Sequence, residues 1–484
     1  MKSVAFHNLG CKVNSYELDV MQQILQEKGY RIVPFDQIAD IYIINTCTVT
    51  NIADRKSRQM LHRAKQKNPQ AVVVAVGCYV QTDREGIEKD DAIDLAIGNN
   101  RKKDLAKILE QFLAEREAIL YGQDDGVDED VLRKQNDLVD RDVLRRVDKT
   151  LGDTTVINVN EPCGYEEMTL RQTAEHTRAY IKIQDGCNQF CSYCIIPYAR
   201  GRVRSRRQED ILEEIRGLAD RGYKEIVLTG IHISSYGIDF DEEDRGQGGS
   251  KLIDLIEHIH HGVDKVERIR LGSLEPRIIT EETASRLAAL PKLCPHFHLS
   301  LQSGCDATLK RMNRHYTTVE YLRGVNCLRR FFEHPAITTD VIVGFPGETG
   351  EEFAETKAFL EQVQFYEMHI FKYSRRKGTN ADRMSGQLTD RVKSVRSDEL
   401  FALEAEQSHV FRAYYIGKIV EVLWEDRRDI QGEFYWVGHT KDYVKVAVRA
   451  GEENLSNLVS KVYAESFLTE EILLGRRQNG VFGE

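Results

Sequence analysis

The sequence predicts an α/β protein with an N-terminal open parallel α/β sheet over residues 1–118, a central partial (βα)6 barrel over 176–410 and a small antiparallel β barrel over 411–475. Three observations predict it. Apolar strand-like runs alternate with amphipathic helical stretches through the first and central parts. After about Tyr415 the pattern switches to short alternating strands. Between the first two parts, residues 119–175 hold no steady period and crowd acidic residues into Asp124–Asp148, which reads as a linker or insertion.

The elements follow in order. Ser3–Asn8 is a strand candidate, and Ser15–Lys28 reads as a helix with Asn14 as N-cap, Glu17 at the capping-box position and Gly29 as its stop. Ile41–Asn45 and Ala71–Val76 are buried-strand runs, and Ala53–Lys67 and Lys103–Glu115 are helices. The barrel strands are expected at Ala179–Gln184, Glu225–Leu228, Arg268–Leu271, His296–Leu301, Thr338–Val343 and Glu367–Tyr373. Helical patterns separate them at Glu209–Arg221, Leu252–His260, Glu281–Leu290, Thr318–Phe332 and Glu351–Gln362. Six βα units are too few for a closed eight-fold barrel. Small residues at the strand ends, such as Gly230, Gly272 and Gly304, suggest close approach of a ligand. Short strands are expected at Lys418–Trp424, Phe434–His439 and Tyr443–Val448.

With 484 residues the chain is long enough for about three domains, and 41% hydrophobic residues fit a soluble globular protein. No apolar run approaches the roughly 20 residues that span a bilayer, and the first residues show no signal-peptide pattern. A cytoplasmic, reducing setting follows as the expectation. There, ten cysteines read as metal ligands or buried thiols, not disulfides. The net charge of −10, taken alone, argues weakly against a nucleic-acid partner, yet it hides local patches: Arg200, Arg202, Arg204, Arg206 and Arg207 put five arginines in eight residues. They are candidates for gripping RNA phosphates, against the plainer reading of a solvated charged face. Residues 54–67 form a second basic stretch, on a helix.

Six cysteines carry the chemistry. Cys187, Cys191 and Cys194 lie in the run GCNQFCSYC directly after a strand. Three thiolates within eight residues can hold three irons of a 4Fe–4S cube and leave the fourth open. A structural zinc site is the alternative, but it prefers CxxC pairs and four protein ligands, and no fourth Cys or His lies close in sequence. Cys11, Cys47 and Cys78 each follow a strand's carboxyl end, the edge where open α/β sheets bind ligands. They form a second candidate three-thiolate site, against the plainer reading of buried thiols. Cys163, Cys294, Cys305 and Cys327 read as structural.

The CxxxCxxC motif after the first strand of a partial βα barrel resembles the radical S-adenosylmethionine superfamily. With a three-cysteine α/β domain before it and a β domain after it, the chain resembles the methylthiotransferases along nearly its full length. That resemblance implies an open iron at Cys187, Cys191 and Cys194 that chelates S-adenosylmethionine, whose one-electron cleavage yields a 5′-deoxyadenosyl radical. It implies a second 4Fe–4S cluster on Cys11, Cys47 and Cys78 that carries the sulfur to be inserted, with a second S-adenosylmethionine as methyl donor. It places Gly230, Ser273, Glu275, Gln302 and Gly344 near S-adenosylmethionine. Tyr193 is open between packing beside the adenine and serving as a core aromatic. Glu275 is open between ligand contact and a buried salt bridge. Lys12 and Asn14 are candidates to orient the N-terminal cluster. The C-terminal domain would be an RNA-binding TRAM domain. The implied partners are a tRNA anticodon loop and an electron donor such as flavodoxin or ferredoxin, with no membrane and no DNA.

Asn8–Glu17 (NLGCKVNSYE) and Leu228–Gly237 (LTGIHISSYG) look like the branch acting on N6-threonylcarbamoyladenosine 37. The branch acting on N6-isopentenyladenosine usually carries Gln-Met-Asn after the first cysteine and Gln-Asn-Val where this chain has Ile231-His232-Ile233. Other readings are the same chemistry on an aspartate of a ribosomal protein, or a non-enzymatic RNA-binding protein with a structural cluster.

Overall fold

The structure is a computed structural model that describes residues 1–121, 155–161, 163–172, 177–241 and 250–478. The acidic stretch Asp124–Asp148 lies outside the described residues. The chain divides into two compact units.

The first unit is organised on five parallel strands: β1 (Ser3–Asn8), β2 (Arg31–Val33), β3 (Ile41–Thr46), β4 (Val72–Gly77) and β5 (Leu95–Ile97), in the order β2-β1-β3-β4-β5. β3 and β4 are buried at every position, which is why they read as continuous apolar runs. Helices Lys12–Glu27, Asn51–Lys67 and Leu105–Tyr121 accompany the sheet. Leu61 and Ala64 of the second pack with Tyr42, Ile44, Val73 and Ala75.

The expected helix start at Ser15 is corrected. The helix begins at Lys12 with Cys11 as N-cap, so Asn14 is inside it. Asn14 is buried, and its Nδ2 donates to the carbonyls of Leu9 (2.7 Å) and Thr46 (3.1 Å). Glu17 makes no capping box; its carboxylate is buried against Lys102 and Arg200. β2 and β5, three residues each, were too short to give a periodic signal.

The second unit holds the six parallel strands expected: β6 (Arg178–Asp185), β8 (Glu225–Gly230), β9 (Arg268–Leu271), β10 (His296–His298), β11 (Ala336–Val343) and β12 (Glu367–Lys372); the two-residue β7 (Arg204–Ser205), between β6 and β8 in the chain, belongs to the first unit. β6 pairs with β8 and β8 with β9, while β10 pairs with β11 and β11 with β12. Single bridges Ile269↔Leu293 and Leu274↔Leu299 connect the two groups. Alternate side chains such as Phe297, Leu299, Ile337, Val341 and Met368 join Ile215, Leu255, Tyr321 and Leu360 of the helices in one core.

The C-terminal β domain closes into a five-stranded barrel of β13 (Ile419–Ile430), β14 (Glu433–His439), β15 (Lys445–Arg449), β16 (Val459–Phe467) and β17 (Ile472–Arg477). It is not wholly antiparallel as expected, because β15 and β17 run parallel. A ring with an odd number of strands cannot alternate direction all the way round. Trp424, Val446 and Val462 fill its core. Buried Arg268 and Arg270 of β9 reach the carbonyls of His439 (2.9 Å) and Lys441 (3.0 Å), and Arg270 also pairs with Glu225 at 2.7 Å.

Candidate active site

Cys11, Cys47 and Cys78 are brought together by register. Thr46 of β3 pairs with Gly77 of β4, so Cys47 and Cys78 are the first residues past the ends of neighbouring strands, which run about 4.8 Å apart. Asn8 of β1 pairs with Asn45 of β3, and the chain turns at Gly10 to place Cys11 at the same edge. Gly10 has φ +118°, and a Cβ there would lie 3.2 Å from Cys47 Sγ, so its bare backbone sits against that thiol. Cys11 is exposed, while Cys47 and Cys78 are buried.

Two polar groups that sequence reasoning did not connect to this edge serve it. Arg200 is buried, and its Nε donates to Cys78 Sγ at 3.3 Å. The same guanidinium reaches Glu17 (2.9 Å), Asp185 (3.1 Å) and Asn14 Oδ1 (2.8 Å). Asn99 Nδ2 donates to Cys78 Sγ at 3.5 Å and to the Ala199 carbonyl at 2.8 Å. Burial, with charge on Cys78 and Cys11 adding to it, pushes the Cys47 thiol up to about 11. The Cys11 and Cys47 thiols therefore resist ionisation as they stand, and a bound cationic group is what would make them thiolates. Soft sulfur donors, with N–H groups aimed at one sulfur, fit an iron–sulfur cluster.

The second set begins after β6. Gly186, at φ +72°, leads into Cys187; a Cβ there would fall 1.8 Å from the Arg202 carbonyl, so only glycine fits. Cys187 N donates to the Gly201 carbonyl at 3.0 Å. The loop Gln189–Tyr193 is held by Met312–Arg314: Ser192 N donates to the Met312 carbonyl (2.9 Å), and Asn313 Nδ2 to that of Phe190 (3.0 Å). Arg314 Nη1 donates to Cys191 Sγ at 3.2 Å, and its Nε donates to the Tyr316 hydroxyl at 2.9 Å. This contact could not be read from spacing, because Arg314 is 123 residues from the cysteine. Three thiols on one short clamped loop, one already paired with a cation, fit the same kind of cluster.

The remaining candidates fall at carboxyl ends of the parallel strands. Gly230 ends β8, Ser273 is exposed just past β9, Gln302 follows β10, and Gly344 follows β11. Gln302 has φ +72° and is bonded on both sides to β11, through Asp340 O (2.8 Å) and Ile342 N (2.9 Å). Gly344 N donates to Glu348 Oε2 at 3.1 Å. Glu275 pairs with Arg277, and the Tyr193 ring meets Phe345 edge-on at 6.3 Å. His232, beside Gly230, donates its backbone N–H to Gln184 Oε1 (2.8 Å) and bonds Ser235 Oγ through Nδ1 (2.7 Å). Burial lowers its pKa to about 4, although Glu275 opposes this.

Two expectations change here. The strand-end glycines abut the protein itself: a Cβ on Gly230 would meet Ile233 at 2.8 Å and the Gln184 carbonyl at 2.9 Å, and one on Gly304 would meet Phe359 at 2.8 Å. The arginine run is not one solvent-facing grip either. Arg200, Arg204 and Arg206 are buried, Arg204 near Asp185 and Arg206 near Tyr16, and only Arg202 and Arg207 are exposed. Both residues of β7 and its neighbours Val203 and Arg206 are buried, so the run is packed into the protein between exposed Arg202 and Arg207.

Residues 181–360 match the model of the radical SAM superfamily, and residues 3–98 that of uncharacterized protein family UPF0004. The chain is 37% identical to the threonylcarbamoyladenosine tRNA methylthiotransferase MtaB of Bacillus subtilis, over 95% of this chain and 93% of that one. The chain belongs to the radical S-adenosylmethionine tRNA methylthiotransferases. The MtaB protein of Aquifex aeolicus is also 37% identical, over 89% of this chain and 95% of its own. A tRNA-2-methylthio-N(6)-dimethylallyladenosine synthase of Thermoanaerobacter is 33% identical, over 88% and 83%. Among solved structures, the radical S-adenosylmethionine methyltransferase TsrM of Kitasatospora setae matches with TM-score 0.50 and 16% identity, over 78% of this chain and 74% of that one, a likeness of fold. As a member of this family the methylthiotransferase uses S-adenosylmethionine and a 4Fe–4S cluster. Among the described residues, no helix is long and apolar enough to cross a membrane.

Proposed function

We propose that this enzyme methylthiolates carbon 2 of N6-threonylcarbamoyladenosine at position 37 of tRNA, with two 4Fe–4S clusters and two molecules of S-adenosylmethionine. The observation that carries the reading is the gathering of Cys11, Cys47 and Cys78 at one sheet edge, with Arg200 and Asn99 donating to Cys78. When bound, the clusters and S-adenosylmethionine supply one-electron bond cleavage and the methylthio group to be inserted. The protein's own work is to hold and orient.

Cys187, Cys191 and Cys194 hold one cluster, and Arg314 fixes Cys191 and stabilises charge on its sulfur. Cys11, Cys47 and Cys78 hold the other. Tyr193, Gly230, Ser273, Glu275, Gln302 and Gly344 line the S-adenosylmethionine site. Glu275, shared with exposed Arg277, can exchange that partner for a ligand amine. Neutral His232 offers a hydrogen-bonding group that carries no competing charge. Arg202 and Arg207 contact phosphates, and residues 411–475 act as a TRAM-like tRNA-binding barrel in a cytoplasmic enzyme served by flavodoxin or ferredoxin. The anticodon-loop base swings out to expose carbon 2.

The signatures Asn8–Glu17 and Leu228–Gly237 favour the threonylcarbamoyl substrate, as do the names of the two relatives at 37% identity. The test is mass spectrometry of tRNA nucleosides from a strain lacking the gene. Loss of 2-methylthio-N6-threonylcarbamoyladenosine alone, restored by the wild-type gene, is expected. Loss of the isopentenyl product instead, or of neither, overturns the assignment.

A further inference from the structure

The face of β10, β11 and β12 turned away from the helices carries a cluster that the reaction above does not use. Phe297, Leu299, Ile337, Val341 and Met368 point into the helix-covered core. Alternation therefore sets His298, Asp340 and His369 on the opposite face, and Asp340 and His369 are register partners. His298 Nε2 lies 3.3 Å from Asp340 Oδ2, and His369 Nδ1 lies 3.4 Å from Asp340 Oδ1. One ligand atom from each of the three residues falls within 4.8 Å of the others.

We propose that His298, Asp340 and His369 form a divalent-cation site. The separations decide between two uses of these groups. A charge-assisted N–H···O bond closes to about 2.7–2.9 Å. Two donors bound to one zinc-sized ion at about 2.0–2.1 Å, at tetrahedral angles, stand about 3.3–3.4 Å apart. Each His–Asp340 spacing matches the second value, one to each carboxylate oxygen. His298 Nδ1 is occupied by Thr338 Oγ1 at 3.1 Å, which fixes the ring and leaves Nε2 directed at Asp340, the outer-shell arrangement metal-binding imidazoles use.

Side-chain exposure rises from 12% at His298 through 27% at Asp340 to 56% at His369, so the site opens to solvent on one side. Two imidazoles and one carboxylate suit Zn²⁺, Fe²⁺, Mn²⁺ or Co²⁺, and leave coordination positions for water or an anionic oxygen.

The test uses the full chain with its clusters reconstituted, titrated with Mn²⁺ alone while the free-ion paramagnetic resonance signal is followed. One Mn²⁺ bound per chain, displaced by Zn²⁺, is expected. Asp340→Asn and His369→Gln should each weaken it at least tenfold without changing iron content. His369 is more than half exposed, so its replacement spares the core. No saturable binding by the wild type, or equal binding by both variants, overturns the proposal. The readout is binding, so it stands or falls separately from the methylthiolation reading.

Discussion

Replacing Arg200 with alanine removes a guanidinium that touches four protein groups at once. Its partners Glu17 and Asp185 are 1% and 3% exposed, so neither carboxylate can recover its hydration. Lys102 still pairs with Glu17, while Asp185 keeps Arg204 at the longer distance of 3.8 Å and so loses more of its pairing. Breaking a buried ion pair from one side costs about 3–5 kcal/mol. For a unit of this size, each kcal/mol moves the midpoint by about 2–4 °C, so the first unit should melt roughly 6–20 °C lower. The lost N–H···S bond at Cys78 adds a second signature, weaker retention of iron at the N-terminal cysteines. The assay is thermal unfolding by circular dichroism, with iron content before and after oxygen-free reconstitution. Arg200→Lys should fall between wild type and alanine, because an ammonium cannot span Cys78, Glu17, Asp185 and Asn14 together. A shift below about 1 °C, with unchanged iron, would refute the claim that Arg200 ties the sulfur edge to the buried carboxylates.

Other outcomes follow from the same geometry. His232 titrates near 4 when folded and near 6.5 when unfolded, so the folded state takes up its proton later. Stability is therefore full above about pH 6.5, falls as pH drops towards 4, and changes by about 3 kcal/mol in all; denaturant titrations of His232→Asn should lose that slope. Gly186→Ala forces a Cβ onto the Arg202 carbonyl and should cut the iron held by Cys187, Cys191 and Cys194, read as lost S-adenosylmethionine cleavage. Arg314→Ala should leave the chain folded but shift the reduction potential of that cluster, because hydrogen bonds to sulfur set it. Redox titration followed by electron paramagnetic resonance reads this directly.

Long periodic elements and the cysteines at strand ends were legible in the sequence because each rests on local pattern. Arg268–Leu271 coincides with β9 to the residue, and β4 and the first four residues of β3 show themselves as apolar runs. What could not be read depends on distant partners. Asn14 has the chemistry of a cap, but Thr46, 32 residues on, claims its side chain and draws it into the helix. Arg200 looks like a solvent-facing cation until Glu17 and Asp185 are placed around it. Glycines at strand ends suggest a ligand, whereas Gly230 and Gly304 make room for Gln184 and Phe359. The strands Val459–Phe467 and Ile472–Arg477 carry charges within their runs and gave no clean alternation, so only closure of the barrel defines them.

The most direct measurement is iron content with Mössbauer spectroscopy on oxygen-free, reconstituted protein, comparing wild type with the variant in which Cys11, Cys47 and Cys78 are alanine. Two 4Fe–4S clusters predict about eight irons per wild-type chain and about four in the variant. The variant should still cleave S-adenosylmethionine but make no methylthiolated tRNA. About four irons in both proteins, or zinc at the N-terminal cysteines, would contradict the account.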